Sequence, residues 1–521
     1  MKHCPRCSRS YADETLNFCL EDGEWLVLSE PGSVATRYSS ADEPATVIMP
    51  GPEPSTAIFS NGSLQISERS IAVLPFAHLS SDPDDEYFCD GLAEELLNAL
   101  SRIDGIKVAA RTSAFSFKGK DKTIGEMANA LNVNTVLDGS VRKSGNRLRI
   151  TAQLVNAADG YQIWSERYDR EMQDIFDVQD EITLSVISAL KLKLLGGEKS
   201  PVLKRETENT EAYKAYLKGR YLRYAKNDHR GAAAAYEEAV KLDPSHAPSW
   251  LGLAESYVLR AHYGMVLPRE ACSRARDALA TARRIHGETA EALYIEGFTA
   301  FIERDWRACD DAYHRSLLIE PNNSRALGTY GIINCILGRI DEAAALFERS
   351  READPLAAYP YAMTGGGLAI LRRPDEAQPF FEQAFTFDKD QTLALWTYCE
   401  TCIALKRFDD GIAAAERAVT TSQRAGFLLA VLGCALAYAG KTADAKTVLA
   451  ELRDRPVGST TLVHEACLLG SLGDKDAAFD MLSRAVDELA PMACYVGLPC
   501  FDSLRDDPRF KDMLKRMNLP E

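Results

Sequence analysis

Ser324-Arg-Ala-Leu-Gly-Thr-Tyr-Gly-Ile-Ile-Asn-Cys-Ile-Leu-Gly-Arg-Ile-Asp-Glu-Ala-Ala-Ala-Leu-Phe-Glu-Arg-Ser-Arg-Glu-Ala-Asp-Pro355 is the stretch that decides how most of this chain folds. With Ser324 as position one, the large residues Leu327 and Tyr330 precede a glycine, Gly331. Ala343 and Phe347 follow across a Gly-Arg break, and Pro355 closes the stretch. Apolar residues three and four apart predict two helices. The small residue beside large ones lets those helices cross closely. Neither helix buries its apolar face alone, so such a pair needs neighbours of the same kind.

Those neighbours are present at steps of 34 residues, from 290 through 324, 358, 392 and 426. The steps place Leu293 and Gly297, Tyr361 and Gly365, Leu395 and Tyr398, and Leu429 and Gly433 at equivalent positions. Ala232, Tyr236, Ala239 and Pro244 fit the second helix of an earlier unit; Trp250, Leu253, Ala254 and Tyr257 fit the first helix of the next. About eight units fit. The pattern resembles the tetratricopeptide repeat family and implies an all-α superhelix over 207–521. The segment from Phe501 to Phe510, with Met513 and Met517, is expected to be a polar-faced capping helix. An insertion is expected around His262 to Arg269. Gly365-Gly366-Gly367 inside a helix costs about 1 kcal/mol per glycine relative to alanine, which points to close packing or a kink.

Upstream, over 69–198, the pattern changes. Ser70-Ile-Ala-Val-Leu-Pro-Phe76 predicts a buried strand, and Leu92, Leu96, Leu97 and Leu100 predict a helix. Residues 135–142 and 147–154 alternate about Ser144-Gly145-Asn146, a hairpin signal. Gln162 to Tyr168 alternates again, and a helix is expected from about Val178 to Leu194. Strands mixed with helices predict an α/β domain with a mixed sheet. The runs at Ser70, Glu86-Tyr-Phe-Cys-Asp-Gly-Leu, Ala110-Arg-Thr-Ser, Leu137-Asp-Gly-Ser-Val-Arg and Trp164-Ser-Glu-Arg-Tyr-Asp resemble the TolB-type (FlgO-like) amino-terminal domain. That resemblance implies bacterial signalling or scaffolding, with no known reaction.

The N terminus carries Cys4-Pro-Arg-Cys7, then Cys19-Leu-Glu-Asp22. These resemble the knuckles of a small bacterial zinc ribbon over 1–28. The commonest fourth ligand is cysteine, whereas Asp22 stands here. A carboxylate is an acceptable zinc ligand, so Cys4, Cys7, Cys19 and Asp22 are expected to hold a structural Zn2+, with His3 and Glu21 as fallback ligands. A segment this short needs such a staple to fold. Residues 29–68 are rich in Ser, Pro, Gly, Ala and Glu and predict a disordered linker.

The chain is thus expected to be multidomain: zinc ribbon, α/β domain and tetratricopeptide superhelix. Its 521 residues are 46% hydrophobic and 26% charged, with no long apolar run for a membrane span. The net charge of -16 works against nucleic-acid binding. The first residues lack the apolar core of a secretory signal, and the 13 cysteines show no disulfide spacing, so a cytoplasmic location is expected. Phosphate-loop, dinucleotide, zincin and nucleophile-elbow motifs are absent from the sequence. Asp90, Glu94 and Glu95 read as a solvated face that complements the dipole of a helix start. Arg111, Lys118, Lys120 and Lys122 form a basic loop suited to an anion. The leading expectation is a non-enzymatic scaffold that binds a protein or peptide in the repeat groove. Tyr294, Phe298, Phe301 and Trp396 are the expected partner contacts, because aromatics dominate binding energy. Alternatives are a small-molecule or nucleotide sensor using the α/β domain, and a transcription regulator acting through the ribbon.

Overall fold

The computed structural model describes residues 70–80, 86–101, 103, 105–120, 122–190, 207–422, 424–455 and 462–520, with the backbone of three short strands near the N terminus. It divides into two units, Met1–Leu64 and Gln65–Glu521. In the first, β1 (Lys2–His3) pairs antiparallel with β2 (Ser10–Tyr11) and with β3 (Val27–Leu28). The expected zinc ligands Cys4, Cys7, Cys19 and Asp22 and the linker expected over 29–68 lie outside the described residues.

The second unit begins with a mixed sheet. Its strands are β4 (Ser70–Val73), β5 (Ala77–His78), β6 (Lys107–Val108), β7 (Thr135–Ser144), β8 (Arg147–Asn156) and β9 (Gln162–Glu171). The order is β6-β4-β7-β8-β9, with β5 also on β7. β4 is parallel to β6 and β7, while β7, β8 and β9 form an antiparallel meander. The β7–β8 turn begins at Gly145, whose φ of 59° lies where glycine alone pays no steric cost. Period-two alternation splits β4 between two cores. Ile71 and Val73 meet α1 (Glu86–Ser101) and α4 (Ile175–Ala189) through Leu92, Leu96, Ile182 and Val186. Ala72 packs on the other face with Ala128 of α3 (Ile124–Leu131), a helix started by a Thr123/Glu126 capping box. A short helix, α2 (Arg111–Phe115), follows β6.

Eight antiparallel helix pairs follow among the described residues. They are α5 (Thr210–Tyr224) with α6 (His229–Leu242), α7 (Ala247–His262) with α8 (Pro268–His286), α9 (Ala290–Glu303) with α10 (Trp306–Ile319), and α11 (Ser324–Ile336) with α12 (Ile340–Ala353). Then come α13 (Ala358–Ile370) with α14 (Pro374–Phe387), α15 (Thr392–Ala404) with α16 (Phe408–Thr421), α17 (Gly426–Tyr438) with α18 (Thr442–Arg453), and α19 (Leu462–Ser471) with α20 (Lys475–Asp487). The helix starts repeat at the predicted register, which gives a tetratricopeptide-like array. The small residue at position eight has a visible cause. A Cβ at Gly331 would stand 2.5 Å from Phe347 Cε1, and one at Gly297 would stand 2.8 Å from Tyr313. The three glycines of α13 serve close packing and leave the helix continuous: a Cβ at Gly365 would meet Phe381 at 2.7 Å, and one at Gly367 would meet Phe347 at 2.5 Å.

The array curls until its far end meets its beginning. Arg269 at the start of α8, Arg304 in the turn after α9 and Trp306 at the start of α10 stand on one rim. Arg269 donates to the Asp487 carbonyl (2.8 Å), Arg304 to the Val486 carbonyl (2.9 Å) and Trp306 to the Met517 carbonyl (3.3 Å). Arg372, on the same rim, pairs with Asp502 at 2.6 Å. Residues 486–520, including α21 (Pro508–Arg516), thus lie across that rim; α21 buries Phe510, Met513 and Leu514. On the opposite rim, the loop after α12 meets the sheet domain: Ser113 of α2 donates to Asp354, and the Leu356 amide donates to Ser113 Oγ at 3.3 Å.

Candidate binding cavity

Between the two rims the first helices of the pairs enclose a cavity of about 2010 Å³, bordered also by α1 and α2. Its first wall corrects an expectation. Asp90 and Glu94 do not form a solvated face; they are 4% and 3% exposed. The leucines of α1 point at the sheet, and the adjacent face, carrying Glu86, Asp90 and Glu94 at four-residue spacing, is turned onto α5. Lys118 Nζ bonds Asp90 at 2.7 and 2.6 Å and Glu86 at 2.8 Å, and Tyr221 donates to Glu86 at 2.7 Å. Glu94 takes Arg111 Nε at 2.9 Å and also Arg220 of α5. Burial pulls the Glu94 carboxyl up, but Arg111 and Arg220 outweigh it and hold it below the ordinary range. For Asp90 burial wins and its pKa rises. Two of the four cations in the expected anion loop, Arg111 and Lys118, are engaged by these carboxylates.

The second wall centres on Tyr224, the last residue of α5. Four guanidinium groups surround its ring: Arg111 and Arg220 at 5.4 Å, Arg223 at 5.1 Å and Arg325 at 5.2 Å from the centroid. Glu255 of α7, 2% exposed, pairs with Arg325 and lies 3.4 Å from Arg223 Nη2. Burial opposes its charge, yet Arg325 and Arg223 bring its pKa down to about 2. Arg325 Nη1 also donates to the Tyr224 hydroxyl at 2.9 Å. Another carboxyl, Glu291, is pushed up by burial to about 7. Beside Arg223, the buried His229 ring stacks on Tyr263 at 5.0 Å, and neither of its nitrogens has a hydrogen-bond partner among the described residues. Burial, and then Arg223, push it down to about 3, so it is neutral.

Tyr294, Phe298, Phe301 and Trp396 all border this cavity. They are also buried, Phe301 and Trp396 at 1% and 2% exposure. The ring of Tyr495, from the returning segment, stands 5.9 Å from Trp396 and 6.3 Å from Phe301, and 5.9 Å from His262. Tyr294 faces Arg325, whose guanidinium lies 5.2 Å from its ring. The arginine cluster was not anticipated, although Arg325 and Glu291 occupy position two of their units, on the inner face. Among the described residues no group of three His, Cys, Asp or Glu side chains is placed to hold a metal ion, and no helix is long and apolar enough to cross a membrane.

A family model described as the second domain of HilA/YgeH-like transcriptional regulators matches residues 67–185. The chain is 38% identical over 190 residues to a protein of Rhizobium meliloti (strain 1021) named putative adenylate cyclase 3; the match covers 36% of this chain and 32% of that protein. Among solved structures, it resembles YrrB, a TPR protein with an unusual peptide-binding site, at 22% identity and a TM-score of 0.23 over 39% of this chain and 96% of that one. It also resembles Pseudomonas aeruginosa pilF, at 14% identity and a TM-score of 0.29 over 52% and 98%. PilW, a type IV pilus biogenesis factor, matches at 16% identity with a TM-score of 0.30 over 43% and 98%.

Proposed function

We propose that the chain is a non-enzymatic adaptor that holds a segment of a protein partner inside the repeat superhelix, against Tyr294, Phe298, Phe301 and Trp396. The observation that carries this reading is the cavity itself. At about 2010 Å³ it exceeds the roughly 300–1,000 Å³ of small-molecule clefts. Aromatic and arginine side chains line it, the types that dominate protein recognition. A place in bacterial signalling is in keeping with the family model's description as a domain of transcriptional regulators; the reading of the α/β domain as a TolB-type module rests on its sequence runs alone. The chain spans about a third of that relative, so the cyclase named there is not carried over. We also assign Cys4, Cys7, Cys19 and Asp22 to a structural zinc, on their spacing and on the need of a short segment for a staple. The buried free cysteines of the second unit support a reducing, cytoplasmic setting.

The test places a photo-crosslinking benzoylphenylalanine at Tyr294 in the full chain, and separately at Tyr161, which is 75% exposed on the sheet domain. The reading expects a protein adduct from the first position and none from the second. Adducts at both positions alike, or internal cross-links alone, would reject it.

A further inference from the structure

We propose that Arg223 and Arg325, with His229 beside them, form a recognition point for a carboxylate, so that the segment held in the cavity is one carrying an acidic side chain. This rests on the protein-partner reading and names the chemistry of the same site.

The argument begins with charge. Four guanidinium groups surround Tyr224 and two ionised carboxylates, Glu94 and Glu255, answer them. Burying unbalanced charge is costly unless something pairs with it. The imbalance falls on one side. Arg111 and Arg220 share Glu94 at close range, while Arg223 reaches Glu255 only at 3.4 Å; the Nε atoms of Arg220 and Arg223 both lack a hydrogen-bond partner among the described residues. Arg223 belongs to α5 and Arg325 to α11, so the site is assembled by curvature of the array rather than by one helix. Glu255 shows what the pair does to a carboxylate, since it stays ionised despite full burial.

The second observation is independent of the arginines. His229 is 3% exposed, lines the cavity, and leaves both ring nitrogens without a protein partner among the described residues. A buried ring with two unmet polar atoms is uncommon unless a ligand or water meets them. One neutral imidazole N–H beside two guanidinium forks matches an oxygen ligand.

The remaining cavity wall limits what enters. Glu320, Asp388 and Asp390 also border it, so a polyanion is repelled where a segment with an isolated carboxylate is not. This disfavours nucleic acid and polyphosphate. A guanidinium fork takes a planar carboxylate in bidentate fashion, and the aromatic wall holds the flanking residues.

The full-length chain is probed with an array of short peptides, each made with a glutamate and with glutamine in its place. Bound peptides should lose more than about tenfold in affinity on that exchange. Arg223→Ala and Arg325→Ala should erase the difference between the two forms, while Arg223→Lys keeps part of it and guards against a mere folding defect. Glu255→Gln removes the internal competitor and should tighten the glutamate peptides; a purely structural cluster would instead weaken them along with the arginine variants. Peptides that bind without preferring glutamate overturn the carboxylate site and leave the protein-partner reading standing. Failure of every peptide overturns both. Inorganic phosphate or acetate binding as tightly as the peptides, with the same arginine dependence, overturns the peptide assignment in favour of a free anion.

Discussion

Ser113 and Asp354 are hydrogen-bonded across 241 residues of sequence. The bond joins α2 of the sheet domain to the loop between the fourth and fifth helix pairs, and burial raises the Asp354 pKa there. Ser113→Ala leaves a buried carboxyl short of a donor, at a cost of about 1–3 kcal/mol. The expected result is a lower melting temperature together with faster amide exchange at residues 111–115. Unchanged exchange there would mean that the tie does not hold the domain to the array.

The glycines of α13 oppose local propensity. On helix propensity alone, each glycine changed to alanine gains about 1 kcal/mol. Packing reverses the sign at Gly367, where the Cβ would lie 2.5 Å from the Phe347 ring. Gly367→Ala should destabilise by about 1–3 kcal/mol, as overpacking does. Gly366→Ala, whose Cβ would stand 3.2 Å from Thr397 Cγ2, should be milder. Urea unfolding of the two variants checks the order.

Glu400 gives a pH signature. It is fully buried, accepts the Cys500 amide at 3.0 Å, and burial pushes it up to about 7. Its folded pKa exceeds the unfolded value of 4.5, so its stability contribution is complete below 4.5 and is lost as pH rises through about 7. The loss is at most about 3 kcal/mol. Glu400→Gln keeps an acceptor and should flatten that decline. Melting curves across the range decide it.

The zinc assignment predicts about one equivalent of metal per chain by elemental analysis. Replacing Cys4 and Cys7 together with serine should remove it. Metal retained in that double variant would refute the site, and full affinity in Asp22→Ala would move the fourth ligand elsewhere.

The repeats were legible because three successive units state the same rule: a glycine at position eight of the first helix and an aromatic on the second to fill the gap, as Gly297 with Tyr313, Gly331 with Phe347 and Gly365 with Phe381 do. The β7–β8 hairpin was legible for a similar reason, since Gly145 marks its turn. Asp90 and Glu94 were misread because their partners are distant in sequence. Glu94 meets Arg220 126 residues away, and no local period records that. The return of residues 486–520 was equally hidden, as Arg269, Arg304 and Trp306 bind carbonyl oxygens, which every residue has. The inner-face aromatics border the cavity but are buried, and Tyr495, which packs against Phe301 and Trp396, belongs to no repeat.

The meeting of the array's two ends has an evolutionary consequence. Open solenoids change length freely, because each unit touches only its neighbours and one more or one fewer leaves the rest intact. Here Arg269 and Arg304 must find the carbonyls of Asp487 and Val486 after a fixed number of units. Adding or deleting one pair would rotate those partners out of reach, so this architecture is closed to drift by duplication and must vary through its side chains instead.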